Sequence, residues 1–552
     1  MRRAIAQIVI LLSIFICTLY AKAKAPRLNE RELKVVIAYN PTLTEDAYVL
    51  DAYKSVLEEE GVPLQTVSLS NLMSTPPADI VKHTPAIILP DGVSQIVPEG
   101  FPSWLSEYVE NGGNTAIIYD VGVKDQEGNF LPEAALTNLV GINYTTYDKL
   151  LDDAYTIGYL QFKDNKSRDY FEIPLGKVVE ENFISSYGYG ALEYPIAKTE
   201  TRVELKNDDI YAYVLTKNGE IYPALVIKNH GKGKLLYVNL PLGYLKGFTD
   251  DLPLRAIIRT FLFKEALIPH LVGSPYAKGG IVWNWHVDDR REWEDAKRLK
   301  RDGVFRKDIK YSIHITAGDF VVTPEDEMGF DACSKGRKYV KKYKKYGVIG
   351  SHGGWCHDWF ADNIIKGNFG EKEIEEYIAK NNKCLESIIN YKITEYSAPV
   401  GTHPQPTATK ILEKLGIIAY YYTGDSGSAP NRSFVERKMV SNSVIAFPIM
   451  PFGKAASFWE LEAVYDISEQ DVKQWLIDTA DYAAKNAFKL DGNGLEVSLK
   501  NPDGLDGIAV AIPKNRYKKP DDKNIKIEED NSYYYLIIGK KTNAKVFHIS
   551  TY

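Results

Sequence analysis

The first long stretch of the chain alternates short apolar runs with amphipathic segments. Residues 34 to 40, "KVVIAYN", form a β-branched run, and Ala47 to Glu60 then carries helical periodicity. "AIILP" at 86 to 90, a helix near 102 to 111 and "NTAIIYD" at 114 to 120 continue the alternation, which predicts a parallel α/β sheet. From 155 to 245 the pattern changes to Gly-punctuated short strands that read as hairpins. A second α/β stretch runs from about 275 to 490. Its strand candidates are "GGIVWNW", "KYSIHIT", "GVIGSHG", "ITEYSAP" and "IIAYYYT", with helices over 371 to 390 and 406 to 415 between them. Five or more strand–helix units predict a β/α barrel whose strand ends share one pocket. Beyond 491, "GLEVSLK", "GIAVAIP", "SYYYLIIG" and "AKVFHIS" alternate with turn residues and predict a small β module. The expected class is therefore α/β. It comprises an α/β sheet domain over 30–270, a distorted β/α barrel over 275–490 and a β-strand module over 491–552.

A length of 552 residues is too great for one core and agrees with several domains. Arg2 and Arg3 precede an uncharged apolar run from Ile8 to Tyr20, then small residues around Ala21, Ala23 and Ala25. Such a start is that of a secretory signal peptide within residues 1–25, and about 13 apolar residues are too few to span a membrane. The expectation is an exported protein in the periplasm, at the cell surface or secreted, with no integral span after cleavage. Removing Arg2, Arg3 and Lys22 takes the formal charge from −6 to about −9, a poor match for nucleic acid or an anionic membrane. Cys333, Cys356 and Cys384 remain, which allows one bridge and one free thiol but no disulfide-built scaffold. The 37 tyrosines against 5 methionines lean weakly towards sugars or half-buried sheets.

Candidate chemistry gathers on four predicted strand-end loops. "HVDD" carries Asp288 and Asp289, "IGSHGGWCHDW" carries His352 and His357, "YSAPVGTHP" carries Ser397 and His403, and "YYYTGD" carries Asp425. Two imidazoles and a carboxylate are a facial ligand set for a first-row divalent ion, zinc foremost. Neighbouring strand-end residues point different ways, so one aspartate of the pair can hold the ion while the other acts as base. Each piece has a plainer reading: Asp-Asp as a solvated cap, tryptophans as core, loop acids as loop acids. Only 9 histidines occur in the chain, and two of them fall within this six-residue window.

In order, "HVDD", "YSIHITAGD", "IGSHGGWCH", "SAPVG" and "YYYTGD" resemble the motifs of the polysaccharide deacetylase (NodB-homology) family, over roughly 210 residues. The resemblance implies a metal-dependent hydrolase that removes N- or O-linked acetyl groups from a carbohydrate polymer. It makes Asp288 the catalytic base and Asp289, His352 and His357 the metal ligands. Trp355, Trp359, Trp459 and Asp425 then become candidates for substrate binding, with Asp319, Asp358 and Glu460 on the same rim. The sequence departs from the family in three places. Four residues rather than three separate the histidines, Ser397 stands where an arginine is usual, and no Leu-x-His supplies the acid. His403, His286 or His314 is left as the acid, with His403 taken here as the catalytic candidate. The first domain resembles glutamine-amidotransferase-like or flavodoxin-like domains, and having no cysteine between Cys17 and Cys333 it is expected to be non-catalytic. Two alternatives stay open: a catalytically degenerate glycan-binding protein, and a glycosidase pairing one of the two aspartates with Glu460.

Overall fold

The computed structural model describes residues 33–144, 155–174, 177–185, 191–203, 205–273, 277, 282–306, 310–422, 429–448, 496–500, 508–520, 525–538 and 544–548. The leader run, Asp425, Trp459 and Glu460 lie outside the described residues. Within them the molecule is mixed α/β, with one large sheet and a separate parallel half-barrel. No helix among the described residues is long and apolar enough to cross a membrane.

The large sheet has eleven strands. Its parallel half is ordered Leu64–Ser68, Val35–Tyr39, Ala86–Leu89, Asn114–Ile118 and Gly233–Val238. The hairpin stretch does not form a layer of its own. Ile221–His230, Ile210–Thr216 and Tyr155–Phe162 add antiparallel to Gly233–Val238 and extend the same sheet. Gly233–Val238 is the joint, because it pairs parallel on one edge and antiparallel on the other.

Six strands make the half-barrel: β1 (Asn284–Val287), β2 (Tyr311–Ile315), β3 (Gly347–His352), β4 (Glu395–Ser397), β5 (Ala419–Tyr422) and β6 (Ile445–Pro448). They are hydrogen-bonded in chain order and all parallel, the connectivity of a β/α barrel. β1 begins later than the apolar run "GGIVWNW" suggests, and β6 was not among the predicted strands. Alternation along the strands divides the sheet. Val287, Ile313, Ile315, Ile349, Tyr396, Tyr420 and Ala446 join the apolar core, whereas Ser312, His314, Glu395 and Ser397 are joined by hydrogen bonds. β2 is buried along its whole length, so both kinds of residue leave water.

Helices cover the apolar face. α1 spans His357–Ile365 and α2 spans Glu371–Ile389. In α2, Ile374, Ile378, Leu385 and Ile388 form one buried stripe at helical spacing, each burial contributing about 1.5–3 kcal/mol. The Glu373 side chain accepts from the Gly370 backbone N–H at the start of α2, and Asn390 ends the helix in the left-handed region at φ 61°. A disulfide between Cys333 and Cys384 ties the loop after β2 to α2 across 51 residues, and Cys356 is free and buried. By loop-closure entropy such a bridge contributes about 4 kcal/mol.

The C-terminal strands are not self-contained either. Ile508–Pro513 pairs with Tyr533–Ile538 on one edge and with His270–Leu271, from the end of the first α/β stretch, on the other. The Tyr533 hydroxyl also donates to the Phe263 carbonyl.

Two buried asparagines, Asn381 and Asn382, interrupt the apolar stripe of α2. Asn381 is fully buried and fastens the ends of β2 and β3. Its Oδ1 accepts from the Ala317 N–H at 2.7 Å, and its Nδ2 donates to the Ile315 carbonyl at 3.0 Å and to Ser351 Oγ at 2.9 Å. Asn381→Ala orphans a buried donor and a buried acceptor, so urea denaturation is expected to show a loss of about 2–4 kcal/mol. An unchanged midpoint would mean that β2 and β3 are held by other contacts.

Candidate metal centre

The loop between β3 and α1 carries both histidines. His352 ends β3 and His357 begins α1, with Gly353, Gly354, Trp355 and Cys356 between them. The loop turns through two left-handed conformations, Gly353 at φ 79° and Trp355 at φ 82°. Gly353 also has no room for a side chain, since a Cβ there would come within 2.0 Å of Pro399 in the loop after β4. Gly350 clears space of another kind: its Cβ would meet the His314 ring at 2.3 Å. The glycines of "IGSHGG" are therefore explained by the contacts they permit.

The carboxylate that meets these histidines is Asp288, not Asp289. Asp288 Oδ1 lies 3.2 Å from His352 Nε2 and 3.6 Å from His357 Nε2. One ligand atom from each of the three residues lies within 4.8 Å of the others, close enough to hold a metal ion. Bonds of about 2.0–2.2 Å to one ion place neighbouring ligand atoms roughly 3.0–3.5 Å apart. Asp289 follows the next side-chain direction and is used elsewhere. It caps the short helix Arg290–Glu294, accepts from the Arg291 N–H at 2.8 Å and from Arg291 Nε at 2.8 and 3.0 Å, and is 3% exposed against 40% for Asp288. The two aspartates do point different ways, but Asp288 rather than Asp289 faces the histidines, and Asp289 is engaged by Arg291.

Hydrogen bonds behind the imidazoles fix their orientation. His352 Nδ1 lies 3.1 Å from the Ser397 carbonyl and 2.7 Å from Ser397 Oγ. A carbonyl only accepts, so the His352 proton sits on Nδ1 and Nε2 presents a lone pair. His357 Nδ1 donates to Asp358 Oδ1 at 2.6 Å, so that in the neutral ring Nε2 presents a lone pair as well. Both lone pairs face Asp288 Oδ1, a buried oxygen that accepts no hydrogen bond from the described residues. Three acceptors directed at one point are reconciled by a cation, and this donor set fits zinc or a related divalent ion.

Burial and crowding set the charges. Burial pushes His352 below its ordinary range despite the facing Asp288, and burial together with His352 and His314 pushes His286 well below it. The His286 ring stacks on His352 with centroids 4.3 Å apart. For Asp288, burial works against ionisation, but His352, His357 and His286, whenever they carry a proton towards it, outweigh burial and hold the carboxyl well below its usual range. Glu292 accepts from the Asp288 N–H at 2.5 Å and the Asp289 N–H at 3.2 Å; burial and the Asp288 charge raise it to about 8.

The remaining candidates lie in other surroundings. His403 is buried against Tyr420, with ring centroids 4.6 Å apart, and pairs with Thr409 Oγ1 at 3.0 Å; burial pushes it down to about 3. It is not among the groups gathered at Asp288. Trp355 is half-buried with the Lys380 ammonium 3.9 Å over its ring. Trp359 packs edge-on against Phe320, Phe369 and Tyr377. Glu395, Ser312 and Tyr421, absent from the expected site residues, complete the polar face behind His352. Their signal was the alternation Ser312, His314 and Glu395, Ser397 on strands otherwise apolar.

No family model matches the chain, and no curated protein is similar to it. Among solved structures it is similar in part to a cold-adapted β-galactosidase from Rahnella sp. R3, at 16% identity and TM-score 0.29, over 46% of this chain and 34% of that one. IcaB from Ammonifex degensii is 16% identical at TM-score 0.22, over 35% of this chain and 72% of that one. A protein assigned as a polysaccharide deacetylase from Mycobacterium smegmatis is 12% identical at TM-score 0.24, over 38% and 77%. The chain thus spans about a third of the length of the β-galactosidase it matches.

Which aspartate serves as ligand is directly testable. Asp288→Asn is expected to lower zinc affinity at least 100-fold by calorimetry, while Asp289→Asn leaves it within a few-fold and instead lowers the melting temperature. The reverse pattern would restore Asp289 as the ligand.

Proposed function

We propose that the protein is an exported, metal-dependent hydrolase that removes acetyl groups from a carbohydrate polymer. The observation that carries this reading is the convergence of the His352 and His357 lone pairs on Asp288 Oδ1, each imidazole fixed by an acceptor behind it. Asp288, His352 and His357 would hold the ion. When bound, a divalent metal supplies a Lewis acid for the acetyl carbonyl and a water acidified towards neutral pH. The Ser397 carbonyl and Asp358 keep the two imidazoles from turning, and burial keeps His352 unprotonated and available. The 40% exposure of the Asp288 side chain leaves one side of the group open to a substrate. The ordered motifs from "HVDD" to "SAPVG" support the carbohydrate substrate, and zinc is the ion proposed. The Cys333–Cys384 bridge and the apolar run from Ile8 support export.

A second reading, a glycan-binding protein on a degenerate site, is favoured by one observation. With Asp288 among the ligand groups, neither neighbouring candidate is placed to act on a substrate: Asp289, expected as a ligand, is held by Arg291, and His403, expected as the acid, is paired with Thr409.

Acetate release from acetylated glycans separates the two readings. The hydrolase reading expects release that a chelator abolishes and zinc restores, with His352→Ala reducing it at least 100-fold. Zinc-loaded, folded protein that binds the glycans but releases no acetate would establish the second reading instead.

A further inference from the structure

We propose that Glu395 is a positioning residue for the metal centre, acting on His352 through Ser397 and His314; this rests on the metal reading above. The metal ligands differ in what stands behind them. His357 meets a carboxylate directly, Asp358. His352 meets Ser397, and Ser397 Oγ lies 2.8 Å from His314 Nδ1. His314 Nε2 in turn lies 2.9 Å from Ser312 Oγ and 3.3 Å from Glu395 Oε2. Ser312 Oγ donates to the same Glu395 oxygen, and the Tyr421 hydroxyl also bonds this carboxylate.

Each link in this chain has one direction that satisfies all its members. Glu395 only accepts, so the Ser312 and Tyr421 hydroxyl protons point to it. Ser312 Oγ is thereby left as an acceptor, and His314 Nε2 carries the proton that lies between Ser312 and Glu395. His314 Nδ1 then presents a lone pair and accepts from Ser397 Oγ–H. Ser397 Oγ accepts in its turn from His352 Nδ1–H, which leaves His352 Nε2 free for the ion. Both ligand imidazoles therefore end on a carboxylate, one at the first step and the other at the third. Apolar side chains would cost less to bury on this face of β2 and β4 than Ser312, His314 and Ser397, all of them buried. Their arrangement places negative charge behind His352, the usual means of fixing a ligand imidazole and raising its basicity.

The test combines imidazole 15N NMR of metal-free protein with zinc titration by calorimetry, on wild type, Glu395→Gln, Ser397→Ala, the pair together, and Asp358→Asn. In the wild type we expect His314 protonated on Nε2 and His352 on Nδ1. Glu395→Gln and Ser397→Ala should each shift the His352 nitrogen signals and weaken zinc binding about 10-fold. The double variant should be no weaker than the worse single one, because both interrupt one chain, whereas adding Asp358→Asn should multiply the loss. Should Glu395→Gln not fold, Glu395→Asp serves, with a smaller shift in the same direction. Unshifted His352 signals with wild-type zinc affinity would overturn the proposal, as would His314 protonated on Nδ1. Wild-type protein that binds no zinc would defeat the metal reading alone, since the metal-free imidazole signals still decide the chain.

Discussion

A parallel strand buried on both faces ordinarily carries apolar residues on each, because a polar group taken from water must find a partner. β2 breaks that habit with Ser312 and His314, and β4 does the same with Glu395 and Ser397. The rest of the site depends on how this constraint is met. Gly350 leaves room for the His314 ring, His314 bridges Ser397 to Glu395, and Ser397 holds the ring of His352 from behind. The polar side of the half-barrel is therefore the scaffold of the metal centre, while Val287, Ile313, Ile315 and Ile349 supply the apolar core.

The separation of roles between the adjacent aspartates follows from local backbone chemistry. Once the chain leaves β1 and turns into the helix Arg290–Glu294, the residue at the turn has its carboxylate drawn to the first backbone N–H groups. Asp289 occupies that position, and Arg291 completes its coordination. Asp288, one residue earlier, shares the side of His286 and faces His352 and His357. Glu292 adds a constraint of its own by accepting from both aspartate N–H groups, which fixes where the two carboxylates leave the chain.

Much of this was legible in the sequence, and the reasons for the misses are physical. Strand–helix alternation and the spacing of "KYSIHIT", "GVIGSHG" and "IIAYYYT" placed β2, β3 and β5 closely. In the run "GGIVWNW", Val282 is exposed, and among the described residues the pairing of β1 starts at Asn284. That Asp288 and Asp289 diverge was readable from alternation. Which one faces the histidines was not, since it depends on the five-residue helix Arg290–Glu294 that Asp289 caps. His403 looked equivalent to other loop histidines, yet the turn into the helix Thr407–Lys414 carries it against Thr409 and Tyr420. Glu395 and Tyr421 are not singled out by any motif role, and the pairing of β4 with β5 brings them together.

The central claim is that Asp288, His352 and His357 hold one metal ion between them. X-ray absorption at the zinc edge of zinc-loaded protein tests it most directly. The account predicts one zinc per chain with two imidazole nitrogens and at least one oxygen at about 2.0–2.2 Å, and loss of the imidazole scattering in the His352→Ala, His357→Ala double variant. Zinc bound without imidazole ligands, or the same spectrum in the double variant, would contradict it.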